Sequence, residues 1–247
     1  LEILESYGDK ITIINQQNMG LAKAVNVGIK KISGDWIKWL SPDDVLYSNA
    51  VEILVKEAKK LAKNTILYSN WEMIDEKGNK MRDFHESNYN HLDNFEFNVR
   101  LLDGQQINVN TTLIPLSLFK KGCTINDLEN SVAIDYDFFL RSAILYDTKF
   151  HLLENSLIKY RIHSNQLSHA NISKTLDYLN KLRNSILLSL DSSKKQKYLK
   201  KLDEYNKSKP FTIKIKHFGL NLISNYLPDF ASDKILTFYI NKIRISR

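Results

Sequence analysis

The 247-residue chain has a single cysteine, Cys123. That excludes an internal disulfide and fits a reducing compartment. No apolar run approaches the roughly 18 residues of a membrane-spanning helix. The opening LEILESYGDK has no basic region followed by an apolar core, so it does not read as a secretory leader. No internal repeat is visible. Acidic excess is also missing, since the net charge is +7. The charge is unevenly spread. Residues 171–247 carry 16 Lys/Arg against 6 Asp/Glu, and residues 1–170 carry 19 against 22. A slightly acidic body with a basic end does not look like a nucleic-acid-binding domain. The basic segment suits an anionic membrane surface or another polyanion, or it is a solvated lysine-rich helix face. What is present in quantity is core. Hydrophobic content of 43% and aromatic content of 11% describe a globular chain. Its length allows one large domain or a domain with an appendage.

The rest of the chain is organised around Gly34–Leu46, GDWIKWLSPDDVL. Gly34-Asp35 is a turn signal. Trp36–Leu40 reads as a mostly buried strand. Pro42 has no N–H to give a sheet, so it belongs at the strand's end. Asp43 and Asp44 follow at once, at the carboxyl end of that strand, where open α/β sheets bind ligands. Paired carboxylates there suit Mg²⁺ or Mn²⁺, which share a ligand's phosphates. The alternative is that one of them only caps the next helix.

Residues 1–7 read as the end of a helix. Ile11–Ile14 reads as a short strand and Asn15–Gly20 as a polar loop. From Leu21 the period is helical, with Val25, Gly28, Ile29 and Ile32 on the same face. Asn49 with Glu52 resembles a capping box. An apolar helix stripe over Val51, Leu54, Val55, Ala58, Leu61 and Ala62 follows. Thr65–Tyr68 is a strand, and Trp71–Ile74 with Lys80–Arg82 forms a hairpin around Asp75–Asn79. Alternation of strands and helices through residue 70 predicts βαβ units and a parallel sheet. Residues 83–105 have no clear period. Asn108–Pro115 reads as a strand, Ser117–Lys121 as a helical turn and Asp135–Tyr146 as a helix with acids at its positive end. Phe150–Arg161 reads as a strand pair or a strand with a loop. The chain is then helical from Ser173 to about Tyr205, and breaks at Lys207–Pro210. Two amphipathic helices separated near Pro228 complete Phe211–Arg247.

Three blocks carry chemistry. Asn18, Gly20, Ala22, Ala24, Asn26 and Gly28 alternate with other residues and lead into GDWIKWLSPDD. Ala133-Ile-Asp135-Tyr-Asp137-Phe-Phe-Leu-Arg141 is the second block. Tyr160-Arg161-Ile162-His163 is the third. In this order and at these distances they resemble the inverting family 2 glycosyltransferases, of the bacterial surface-glycan type. That family shows N-x-G-x-x-x-A-R-N-x-G-I, G-D-Y-I-x-x-L-D-x-D-D, E-D-Y-D-x-x-x-R and Y-R-x-H. The resemblance covers residues 1 to about 170.

The resemblance implies an α/β fold of GT-A type, a Rossmann-like mixed sheet flanked by helices. It implies a transferase domain over residues 1–170 and a basic helical C-terminal region over 171–247. The implied activity moves a sugar from a nucleotide-sugar donor, a UDP-sugar by preference, to a glycan or lipid-linked acceptor with inversion. The implied cofactor is Mg²⁺ or Mn²⁺. Asp43 matches the last acid of the D-x-D motif, which holds the metal on the donor's diphosphate. Asp44 supports that loop. His163 matches the histidine that approaches the metal or the diphosphate. Asn18, Lys23 and Asn26 lie where loop and helix border the nucleotide. Asp135 matches the general base, although Asp137 at the same helix start is an alternative. Outside the family context, Asp135 reads better as an N-cap than as a base, and Cys123 is a small core residue rather than a nucleophile.

The chain departs from the pattern at Ser41, which replaces the first Asp of D-x-D, at Val25 in place of Arg and at Ile134 in place of Glu. Family members also begin with a strand, a helix and a second strand ending in acids that hold the nucleotide. The expectation is therefore a chain truncated at its N-terminus by roughly 40–50 residues, about the size of one βαβ unit and a turn. Rival readings are a degenerate, non-catalytic scaffold and a membrane- or polyanion-binding module. The expected location is cytoplasmic, with peripheral contact to the inner face of the plasma membrane through 206–247. There Ile213, Ile215, Phe218, Leu222, Ile223 and Tyr226 form an apolar side next to Lys214, Lys216 and His217. Packing of that side on the catalytic body is the alternative. No nucleic-acid partner is expected.

Overall fold

The computed structural model describes residues 2–104, 107–127, 133–163 and 172–210. Short helix α1 is Glu2–Glu5, and α2 is Leu21–Ile29. The chain enters α2 through Gly20 at φ +91°, a conformation that favours glycine. Asn18 Oδ1 accepts the Gly20 N–H at 3.1 Å and shapes that turn. Strands β1 (Trp36–Lys38) and β2 (Val45–Leu46) flank the Ser41–Asp44 turn. Helix α3 is Ala50–Ala58, β3 is Thr65–Ile74 and β4 is Lys80–Phe84. Then come α4 (Asn94–Asp103), β5 (Leu113–Pro115) and α5 (Leu116–Lys120). Helix α6 (Ile134–Leu145), strand β6 (Lys149–Arg161) and helices α7 (Ile172–Leu188) and α8 (Ser192–Ser208) complete the described chain.

The strands form one mixed sheet in the order β1-β5-β3-β6-β2, with β4 pairing the far half of β3. Strand β3 is its spine. All ten of its residues are buried, as expected of a strand covered on both faces. Only β3 and β6 pair in parallel; every other pairing among the described strands is antiparallel. Neighbouring residues point to opposite faces. Ile66, Tyr68 and Leu152 join α4, α6, α7 and α8 in the larger core, while Leu67, Leu113 and Leu153 pack under α3. Tyr136, Phe138 and Phe139 of α6 are essentially fully buried in the larger core. Each such side chain stabilises the fold by about 1.5–3 kcal/mol relative to exposure.

Several expectations change. Ile11–Ile14 forms no strand, and its isoleucines at 11, 13 and 14 are exposed. Extended backbone counts as a strand only when a neighbour pairs with it, and none of the described strands does. The Trp36–Leu40 strand stops at Lys38, and only Ile37 in it is buried. It lies at the end of the strand order and pairs only with β5. The sheet is not parallel. Strands β1 and β3 run in the same direction, but β5 inserts between them and reverses both pairings. The capping box at Asn49 does not form, because its side chain makes no cap hydrogen bond. An N-cap does form at Asp93, which accepts the Glu96 N–H at 2.8 Å and starts the unexpected α4. Thr65–Tyr68 and Trp71–Ile74 are one strand, and Phe150–Arg161 is likewise one strand with a shifted register. The expected helix face on α2 centres on buried Ala22, leaving Leu21 and Ile32 exposed. The predicted boundary near residue 170 lies outside the described residues, as do the two helices expected over 211–247. On the far side of that boundary, Leu182, Ile186, Leu187 and Tyr198 of α7 and α8 lie in the larger core.

Candidate active site

The short pairing of β2 with β6 builds the site. Val45 stands opposite Lys159 and Leu46 opposite Ile158. An antiparallel register then brings the residues just before β2 against those at the end of β6. Asp43 Oδ2 and His163 Nε2 lie 3.0 Å apart, with a third and a quarter of their side chains exposed. Asp44, by contrast, is buried. Its Oδ1 accepts the Arg161 N–H at 2.9 Å and its Oδ2 accepts from Asn110 Nδ2 at 2.7 Å. Arg161 also donates from Nε to the Asp43 carbonyl at 2.9 Å. Its Nη1 reaches the carbonyls of Asp75 and Glu76 in the β3–β4 turn, each at 3.0 Å.

Lys38, at the end of β1, donates to the carbonyls of Trp39 and Asn110. Burial lowers its pKa to about 7, against the opposing pull of Asp44. Burial raises the Asp44 carboxyl to about 6, helped by Asp43 and opposed first by the Arg161 N–H. Removal from water disfavours both charged forms, and this drives the two pKa values toward each other. Ser41 donates from both its N–H and its Oγ to Asn110 Oδ1, at 2.9 and 3.0 Å.

The free donors for a cation are therefore the Asp43 carboxylate and the His163 imidazole. Among the described residues no group of three or more His, Cys, Asp or Glu side chains could hold a metal. Mg²⁺ and Mn²⁺ commonly take one or two protein donors and complete their shell with phosphates and water. The pair fits a metal shared with a ligand's phosphates. It does not fit a metal centre built by the protein alone.

A second group of site residues gathers around the 123–127 loop that precedes α6. Asn26 holds Ile125 by two bonds, Nδ2 to its carbonyl at 2.7 Å and Oδ1 from its N–H at 3.2 Å. Lys23 pairs with Asp127 at 3.1 Å, both half exposed. Arg141 donates to the Thr124 carbonyl at 2.7 Å and grips Asp137 Oδ2 from Nε at 2.9 Å and Nη2 at 2.5 Å. Asp137 is only 1% exposed, whereas Asp135 is half-buried at the helix start. Asp135 Oδ1 accepts the Tyr136 N–H at 2.8 Å. So Asp43 and His163 pair directly, Arg161 links Asp44 to them, and Asn26 and Lys23 meet through the 123–127 loop. Asn110 and Lys38 had no local signal, because their contacts arise across tens of residues of sequence. Arg161 stood in a recognised block without a role.

The chain is similar in sequence and in fold to known proteins. The model of the family described as Glycosyl transferase family 2 matches residues 1–115. Residues 1–115 belong to that family. An uncharacterised glycosyltransferase of Rickettsia felis is 35% identical over 162 residues, covering 65% of this chain and 26% of the relative. One from Rickettsia typhi is 30% identical over 174 residues, covering 70% of this chain and 54% of the relative. The chain thus spans about a quarter to a half of the length of these curated relatives. The chain also has the GT-A-like fold of S. aureus TarS 1–349, solved in complex with UDP-GlcNAc. That match has a TM-score of 0.57 at 14% identity and covers 81% of this chain and 58% of TarS 1–349. Among the described residues, no helix is long and apolar enough to cross a membrane.

Proposed function

We propose that this chain carries the catalytic site of an inverting glycosyltransferase that uses a UDP-sugar and a divalent cation. The observation that carries the reading is the partly exposed Asp43–His163 pair at the β2–β6 junction of a GT-A-like fold. These two side chains would hold Mg²⁺ or Mn²⁺ against the donor's diphosphate. A cation there neutralises charge on the leaving group. UDP is chosen because TarS, which shares the fold, binds UDP-GlcNAc.

Asp135 serves as the general base toward the acceptor hydroxyl, and its half-exposed position supports that role. Asp137 is sealed in its pair with Arg141 and cannot reach an acceptor. Base and donor on opposite sides of the anomeric carbon give inversion. Asp44 fixes the turn that presents Asp43. Asn18 shapes the entry to α2, and Lys23 and Asn26 hold the 123–127 loop beside the nucleotide. The acceptor is a glycan or a lipid-linked glycan. Residues 206–247 contact the cytoplasmic face of the membrane, a role supported by the basic charge of 171–247. Incubation of the chain with UDP-sugars and Mn²⁺, followed by UDP release, tests the reading. The expected result is release that stops in EDTA. Undiminished release in EDTA, or none with any UDP-sugar, refutes it.

A further inference from the structure

Asn110 lies 66 residues beyond Asp44, in the short turn of 3₁₀ helix Val109–Thr111. It is 5% exposed, and both ends of its side-chain amide are committed. Oδ1 accepts the Ser41 N–H and the Ser41 hydroxyl, and Nδ2 donates to Asp44. Its backbone carbonyl accepts from Lys38, and its N–H is held by Asn108 Oδ1 at 3.0 Å. One side chain thus spans the Ser41–Asp44 turn and sets the direction in which Asp43 leaves it. Only one amide orientation works, because a carboxylate can only accept and a backbone N–H can only donate.

We propose that Asn110 is the positioning residue of the Asp43–His163 pair, and that Ser41 belongs to this scaffold instead of marking a vacated ligand position. This rests on the proposed metal and UDP-sugar site. Ser41 occupies the place where the family pattern has an acid. An Asp there would put a carboxylate against Asn110 Oδ1. Flipping the amide would relieve that contact, but it would turn Oδ1 toward Asp44 and Nδ2 toward the Ser41 N–H. No orientation satisfies all three groups. The serine and the asparagine are therefore a matched pair.

The test uses the full chain with Mn²⁺ and UDP as probes, read by calorimetry, and thermal unfolding without nucleotide as a second reading. Asn110→Asp keeps the acceptor for Ser41, loses the donor to Asp44 and sets a second carboxylate against it. It should lower Tm and weaken Mn²⁺–UDP binding by roughly ten- to a hundredfold, the usual range for groups that orient metal ligands. Adding Asp44→Asn exchanges donor and acceptor, so the double variant should regain most of the lost Tm. Ser41→Ala should bind Mn²⁺–UDP within about threefold of wild type, because only one neutral hydrogen bond is lost. Ser41→Asp should bind more weakly than Ser41→Ala. The proposal falls if folded Asn110→Asp binds Mn²⁺–UDP like wild type, if the exchange regains no Tm, or if Ser41→Asp binds more tightly than wild type. If wild type binds no Mn²⁺–UDP, the proposed function fails, while the Tm exchange still tests the Asn110 scaffold.

Discussion

Arg161 ties three segments that are far apart in sequence, and its removal should be measurable in both stability and binding. Its side chain makes three hydrogen bonds to carbonyls, one to Asp43 and one each to Asp75 and Glu76. Arg161→Ala keeps the backbone N–H on Asp44 and loses these three. Bonds from a charged donor contribute about 1.5–3 kcal/mol each when protected, but the freed carbonyls lie near water, so about 1 kcal/mol each applies. The expected cost is therefore about 3 kcal/mol. For a chain of this size that corresponds to a fall in Tm of about 6–12 °C. Arg161→Lys should recover only part of it, since an ammonium lacks the planar fork that reaches both the turn and Asp43. Circular dichroism melts measure the first quantity. Titration of Mn²⁺–UDP measures the second, and affinity should fall because the Asp43 turn is no longer anchored. A Tm within about 2 °C of wild type, well short of the fall expected for loss of these bonds, would refute the reasoning.

Other expectations follow from single contacts. Asp43→Ala should abolish Mn²⁺–UDP binding, and Mn²⁺ without nucleotide should bind wild type weakly because the protein supplies two donors; tight metal binding by calorimetry in the absence of UDP contradicts this. Asp135→Asn should keep Tm and donor affinity and lose transfer by roughly a hundredfold or more. Asp137→Asn should instead lose about 3 kcal/mol of stability, because Arg141 stays buried without its partner. If Asp137→Asn melts like wild type, the pair has been misjudged. Cys123 is fully buried and its thiol is pushed up to about 11, chiefly by burial. It should therefore resist Ellman's reagent at pH 8 until the chain is unfolded, and prompt labelling of the native protein argues against the packing around it.

Much of the local structure could be read along the chain. The 3.6-residue period announced α2 and α3, the acids at its start marked α6, and the β3–β4 hairpin followed from Asp75–Asn79. There Asp75 Oδ1 accepts the N–H groups of Lys77 and Asn79, at 2.9 and 2.8 Å. Residues 83–105 were opaque for a physical reason. Asn90 bonds both the N–H and the carbonyl of Leu152, at 2.8 and 2.9 Å, so a side chain imitates a strand's ladder without any period of its own. The signal for α4 was nevertheless present, since Asp93-x-x-Glu96 is a capping pattern.

The sequence by itself determined the α/β class, the principal helices, the hairpin and the first of the three blocks, which lies within the residues 1–115 that match glycosyl transferase family 2. These depend on local periodicity, turn chemistry and spacing, all of which are written in consecutive residues. The tertiary structure alone decided the rest. It set β5 between β1 and β3, where the alternation of strands and helices alone had predicted parallel neighbours. It sealed Asp137 behind Arg141 and left Asp135 half-buried. It carried His163 across 120 residues to Asp43, and Asn110 across 69 to Ser41. Such contacts depend on which strand pairs with which and in what register. That is settled by the packing of whole faces against a shared core, which no single segment encodes.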